Sequence, residues 1–274
     1  MAFHTIILLG TLTGILLAVG WFFAGPLGMT VALAFSVLLN LVAYYYSDKI
    51  ALKMYKAKPS EDAELNGIVE RVARQAKVPK PRVYSVPTRV PNAFATGRSP
   101  KNAAIAITDG LKMLNPEEME AVISHEMGHI KNHDILVSSL AATIAGAIAY
   151  VAQMSYWSLF MQQERQGEGN MLGLIFMVVF APLAAMLVRL AISRSREYKA
   201  DITGAMLTHK PHALASALRK IESVAREHPL RGGSAATAHM WIVNPFSQDW
   251  FTGLFMTHPP IEKRVERLER LAAL

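Results

Sequence analysis

The sequence predicts a mainly α protein with a small β-sheet, built as a multi-pass membrane protein with four transmembrane helices and a cytoplasmic domain. Three observations predict it. Of the 274 residues, 52% are hydrophobic, and the mean hydropathy is positive, which is more apolar than a soluble domain of this size. Four long runs are nearly free of charge and fall into two pairs. The segments between and after these pairs carry amphipathic helical patterns and two short apolar strands.

The first run, about Thr5 to Ala24, is long enough to cross a bilayer. It exceeds a signal-peptide core, and no Lys or Arg precedes it. Gly25-Pro26 separates it from a second run, about Leu27 to Tyr46, so the two predict a hairpin (1–48). Asn40, deep in the second run, fits an interhelical hydrogen bond, and Tyr44, Tyr45 and Tyr46 fit an interfacial belt. Lys49, Lys53, Lys56 and Lys58 follow. They place that end, and so the N-terminus, in the cytoplasm.

Residues 49–134 read as folded cytoplasmic protein. Ala63 to Ala76 has apolar positions at helical spacing. Arg82 to Val86 and Ala103 to Thr108 read as strands on either side of a turn-rich segment, Pro91 to Gly97. The pair suits either an edge that holds an extended peptide or a structural hairpin over the next helix.

That helix is the centre of the chain. Asn115, Pro116 and Glu118 form a capping-box start, and the helix is expected to run on into the third apolar run at Ile135. It carries His125, Glu126 and His129, the pattern H-E-x-x-H. Histidines four apart share a helix face and can bind one metal ion, while Glu126 can reach a water in the open coordination position.

The third and fourth runs, about Ile135 to Trp157 and Met171 to Ile192, predict a second hairpin (135–193) with a short polar loop outside. Pro182 is expected to kink the last span, and Arg189 to snorkel to its cytoplasmic end. Residues 194–274 are again cytoplasmic, with helices expected over Glu197–Thr208, His212–Glu227 and Ile261–Leu274. Arg231 to Asp249 is expected to form a mobile cover over the site.

Catalytic zinc takes three protein ligands and leaves one position open. Asn132 and Ile135 rule out the longer H-E-x-x-H-x-x-G-x-x-H pattern, and His133 lies too far along the helix. Glu197 is the better third ligand. Two crossings separate it from His129, which returns it to the same side of the membrane. Asp201, one turn on, can orient a bound imidazole.

His125-Glu-Met-Gly-His129 followed by Lys131-Asn132 and Asp134, Arg196-Glu-Tyr-Lys-Ala-Asp201, Pro91-Asn-Ala-Phe-Ala-Thr-Gly97 and Thr257-His-Pro-Pro260 together resemble the HtpX-type membrane zinc metalloproteases. They are more distantly similar to the CAAX prenyl proteases. The resemblance implies a zincin-like catalytic domain and a zinc endopeptidase of the bacterial inner membrane, acting in stress response and quality control. Its substrates would be misfolded or damaged membrane proteins, and its role would overlap with that of an ATP-dependent membrane protease.

The resemblance also implies one Zn2+ held by His125, His129 and Glu197, with Glu126 as general base and Asp201 as a ligand-orienting residue. Asn92, Ala93 and Phe94 would lie on the substrate-binding edge. His258 would steady the tetrahedral intermediate, with Tyr198 or Arg196 as further candidates.

Other classes fit less well. The net charge of +7 suits cytoplasmic flanks and anionic lipid, and no basic repeat interleaved with aromatics suggests nucleic acid. The absence of cysteine excludes disulfides and thiolate zinc sites. A non-proteolytic zinc sensor or scaffold would not need Glu126. A transporter would need intramembrane polar groups, which the four runs almost lack.

Overall fold

The computed structural model describes residues 2–141, 143, 194–227, 240–243 and 259–273. Its first element, α1 (Ala2–Met54), is broken at Ala24 and Gly25, where Gly25 takes φ 56° and ψ −140°. Pro26 follows and starts the second arm. The arms fold back on one another as expected. Asn40 Nδ2 donates to Thr13 Oγ1 across 3.0 Å, and a Cβ on Gly20 would lie 2.4 Å from the Gly28 carbonyl oxygen.

Ala24–Met54 is the one helix among the described residues that is long and apolar enough to cross a membrane. Only 11% of its most apolar stretch is buried, and Leu27, Val31, Phe35, Leu38 and Leu41 stand exposed. A core helix would bury such side chains, and these face outward. The expected crossings within 144–193, with Pro182 and Arg189, lie outside the described residues.

A four-stranded sheet follows, in the order β1-β2-β4-β3. β1 (Lys58–Pro59) pairs antiparallel with β2 (Arg82–Val86), and β2 pairs in parallel with β4 (Ala103–Thr108). β2 and β4 occupy the expected residues, but their parallel pairing excludes a hairpin between them. The segment expected to be turn-rich contains β3 (Ala93–Gly97), an edge strand antiparallel to β4. Ala-Phe-Ala-Thr-Gly has little intrinsic strand preference. Pairing with β4 and burial of all five residues supply what propensity lacks.

Helices pack on this sheet around one core. α2 (Ala63–Ala76) is capped by Asp62, whose side chain accepts from the Leu65 N–H at 3.0 Å, and it buries Val69 and Val72 completely. α3 (Pro116–Lys131) runs through the middle, between α2, β3, α4 (Arg194–Thr208) and α5 (Pro211–Glu227). It is buried on nearly every side. α6 (Ile261–Ala272) closes the back against α5 and α4.

α3 does not continue into the next apolar run. Asn132 caps it, and His133 adopts a left-handed φ of 64°. The His133 and Asp134 N–H groups then bond back to the carbonyls of Ile130 and His129 at 3.0 and 2.9 Å. A new helix begins at 135. Ile135, expected to enter lipid, is instead 1% exposed and part of the main core.

Candidate metal centre

The start of α3 is fixed by the expected cap. Asn115 Oδ1 accepts from the Glu118 N–H at 2.9 Å, and Glu118 Oε2 accepts from the Asn115 N–H at 3.0 Å. Glu118 also takes hydrogen bonds from Ser216 and Lys220 of α5 at 2.7 and 2.8 Å. The helix phase is thereby set against its neighbours. Two turns on, the rings of His125 and His129 stand 4.8 Å apart at 87° to each other.

Small residues bring α4 to meet them. A Cβ on Gly204 would lie 2.8 Å from the His125 backbone nitrogen, and one on Gly128 would lie 3.0 Å from the Ala200 carbonyl oxygen. At that separation Glu197 reaches both imidazoles. Its Oε1 is 3.4 Å from His129 Nε2, and its Oε2 is 3.9 Å from His125 Nε2. Each ring turns its other nitrogen to an aspartate. His125 Nδ1 is 2.9 Å from Asp201 Oδ1, and His129 Nδ1 is 3.5 Å from Asp134 Oδ2.

This geometry suits a tetrahedral cation. Ligand atoms about 2.0–2.1 Å from zinc lie roughly 3.3 Å from one another. One donor atom from each of His125, His129 and Glu197 can be chosen so that all lie within 4.8 Å of one another. The aspartates occupy the place of the partners that fix ligand tautomers in zinc sites. His125, Glu126, His129 and Glu197 face a common cavity of about 60 Å³, shared with Ala93 to Ala95 and with Met240 to Ile242.

Burial dominates the electrostatics. It raises the Glu126 carboxyl above its ordinary range, against the charges of His125 and His129, while Glu197 pushes the same way as burial. Glu126 Oε2 accepts from the Ala95 N–H at 2.8 Å, which ties it to β3. Burial works against a charge on His129, but the Asp134 carboxylate facing its Nδ1 and the charges of Glu197 and Glu126 prevail and lift it to about 9. For Asp201, burial is outweighed by Arg264 and by His125, which hold its carboxyl well below the usual range.

The structure therefore gathers His125, Glu126, His129, Glu197 and Asp201 in one place. Ala93 and Phe94 line the cavity, and the Phe94 ring packs on Tyr55 at 4.8 Å. Asn92 is buried beside it, with its amide donating to the Met240 carbonyl at 3.0 Å and accepting from the Ile242 N–H at 2.8 Å. His133 is exposed. His258 lies outside the described residues, as does most of the expected cover at 231–249. Sequence reasoning gave Asp134 and Ala95 no role beyond the motifs they belong to, and it missed the contact of 240–242 with Asn92, and Arg264.

The family model of Peptidase family M48 matches residues 59–272. The chain belongs to peptidase family M48. With that membership it is a metalloprotease that uses zinc, and the His-His-Glu group above is where the M48 chain offers a place for it. Among its relatives is a protein named Protease HtpX homolog from Pyrococcus abyssi (strain GE5 / Orsay), 52% identical, covering 98% of this chain and 95% of the relative. Proteins of the same name from Persephonella marina (strain DSM 14350 / EX-H1) and Syntrophobacter fumaroxidans (strain DSM 10017 / MPOB) are 49% and 45% identical. They cover 98% of this chain and 96% and 99% of their own lengths. A crystal structure of S. mikatae Ste24p superposes with a TM-score of 0.49 at 18% identity, over 86% of this chain and 57% of that one.

Proposed function

We infer that this M48 chain is an integral membrane endopeptidase that hydrolyses peptide bonds in misfolded or damaged membrane proteins. One observation carries the chemistry. His125, His129 and Glu197 converge from two helices that are far apart in sequence, and Glu126 stands beside them at the same cavity. The membrane-protein substrate class is supported by the apolar, exposed helix Ala24–Met54 joined directly to the site-bearing domain. The kinship with proteins named Protease HtpX homolog supports the same reading. A role in stress-induced quality control at the bacterial inner membrane, overlapping with an ATP-dependent membrane protease, follows from it, with the N-terminus and the site on the cytoplasmic side. The division proposed is two spans in 1–48, a cytoplasmic part in 49–134, two spans in 135–193 and a cytoplasmic part in 194–274.

Held by His125, His129 and Glu197, zinc would supply a Lewis acid for the scissile carbonyl and would make an attacking water more acidic. Glu126 is placed to accept the proton of that water and then to pass it to the leaving amine. The Ala95 N–H keeps the carboxylate at the cavity wall between transfers. Ala93 and Phe94 border the reacting region and would align an extended substrate along β3, while Asn92 would act from beside it. His258 is proposed to steady the oxyanion, with Tyr198 and Arg196 as the alternatives.

The test pairs zinc content with casein cleavage in detergent, for the wild type and Glu126→Gln. The variant is expected to hold one zinc per chain and to lose cleavage by at least about a hundredfold, as expected for loss of general-base catalysis. Undiminished proteolysis by zinc-loaded Glu126→Gln would sink the mechanism. The substrate class is tested by incubating a destabilised membrane protein and its stable parent with the enzyme. Equal cleavage of the two would count against quality control.

A further inference from the structure

A buried cation stands directly behind the metal-facing cluster. Arg264, on α6, has 0% exposure and is the largest fully buried side chain among the described residues. Its Nε and Nη2 donate to Asp201 Oδ2 and Oδ1 at 2.9 and 2.7 Å. The same Asp201 Oδ1 faces Nδ1 of His125 at 2.9 Å. One carboxylate thus joins the arginine to the imidazole.

Two further contacts distinguish Arg264 from an ordinary ion-pair partner. Nη2 is 3.4 Å from both ring nitrogens of His125. A position in the ring plane equidistant from both at that range would collide with Cε1, so the guanidinium lies against the imidazole face. Nη1 makes no hydrogen bond among the described residues and sits 3.7 Å from Glu197 Oε2. A buried guanidinium is costly, and an unused buried donor more so. A leucine would fill this part of the core more simply. A fixed five-donor fork, by contrast, can hold two carboxylates at once in set orientations.

We propose that Arg264 is a positioning residue for the metal centre. Its Nε and Nη2 lock Asp201 so that His125 keeps Nδ1 toward the aspartate and Nε2 toward the metal. Its Nη1 restrains the outer oxygen of Glu197, leaving the other oxygen for the ligand position. α6 supplies no ligand of the set, yet it sets the orientation of two. This rests on the ligand set of His125, His129 and Glu197.

The experiment uses the full-length protein in detergent and compares the wild type with Arg264→Met, Arg264→Lys, Asp201→Asn and the Arg264→Met/Asp201→Asn double variant. Zinc affinity is read by chelator competition, ligand geometry by the visible spectrum of the cobalt(II)-substituted protein, and folding by thermal melting. Folded Arg264→Met is expected to bind zinc roughly 10–100-fold more weakly, with an altered cobalt spectrum. Lysine, with no fork, should restore only part of this. The double variant should lose less affinity than the product of the two single losses, because both act on His125 through one contact. Wild-type zinc affinity and an unchanged cobalt spectrum in folded Arg264→Met would overturn the proposal, whatever its melting temperature. If that variant does not fold, the same result in Arg264→Lys overturns it. A wild type that binds no zinc overturns both this proposal and the proteolytic reading. A zinc-loaded, proteolytic wild type beside an unaffected variant overturns this proposal alone.

Discussion

Gly204 lies against the backbone of His125 so closely that a Cβ there would come within 2.8 Å of the His125 nitrogen. The crossing of α3 and α4 is therefore set by a missing methyl group. Everything that Glu197 and Asp201 do at the imidazoles depends on that spacing.

Gly204→Ala is accordingly expected to push the helices apart at the site itself. Overpacking of this kind costs about 1–3 kcal/mol. Because the backbone of a proposed metal ligand is displaced, zinc affinity should fall by at least about tenfold, in line with lost ligand orientation. Chelator competition and thermal melting of the variant check both parts. An unchanged affinity would show that the crossing tolerates a wider spacing.

Zinc affinity should depend steeply on pH. In the proposed ligand set His129 must be neutral to take a metal ion, and its proton is held up to about 9. Below that value each unit of acidification should cost about a factor of ten, and above it the dependence should flatten. Calorimetry in two buffers of different ionisation enthalpy reads the proton released. In chelator-treated protein the sign reverses. The His129 ion pairs then add stability that is fully present below about pH 6.5 and is lost as pH rises through about 9.

Acid should attack a different pair. The Asp201 carboxyl is held below its ordinary range by Arg264 and His125. Its contribution to stability is present above the unfolded-chain value of about 4 and is lost as pH falls toward the depressed folded value. Urea midpoints measured from about pH 5 downward should therefore decline more gradually in Asp201→Asn than in the wild type.

Asn92→Ala should release Met240 and Ile242. The variant leaves the Met240 carbonyl and the Ile242 N–H without their side-chain partners, at a cost of about 1–3 kcal/mol if they stay buried. Faster amide exchange at Ile242 than in the wild type is the expected readout. Unchanged exchange would mean that Asn92 does not hold this segment.

The legible part of this protein was the part whose signals are local. The spacing of His125 and His129, the Asn115 cap and the Gly25-Pro26 reversal each reside within a few residues, and each stands as read. Glu197 required one long-range inference, the parity of crossings, and α4 brings it to the histidines. β3 could not be read, because Ala93 to Gly97 acquires its extended form from β4. The turn at His133 was hidden by the apolar run that follows it. Arg264 was hidden among the alternating charges of α6, although a signal existed. It falls between Ile261, Val265 and Leu268 on the one face that packs inward.

The placement of Arg264 also orders events during synthesis. His125 precedes it by 139 residues, and Asp201 precedes it by 63. At about 5–20 residues per second, a nascent chain carries His125 for roughly 7–28 seconds before the arginine is made. Asp201, made 63 residues before Arg264, has no buried cation to meet for roughly 3–13 seconds. Under the role proposed for Arg264, zinc capture in its final geometry waits until α6 has been made and has docked.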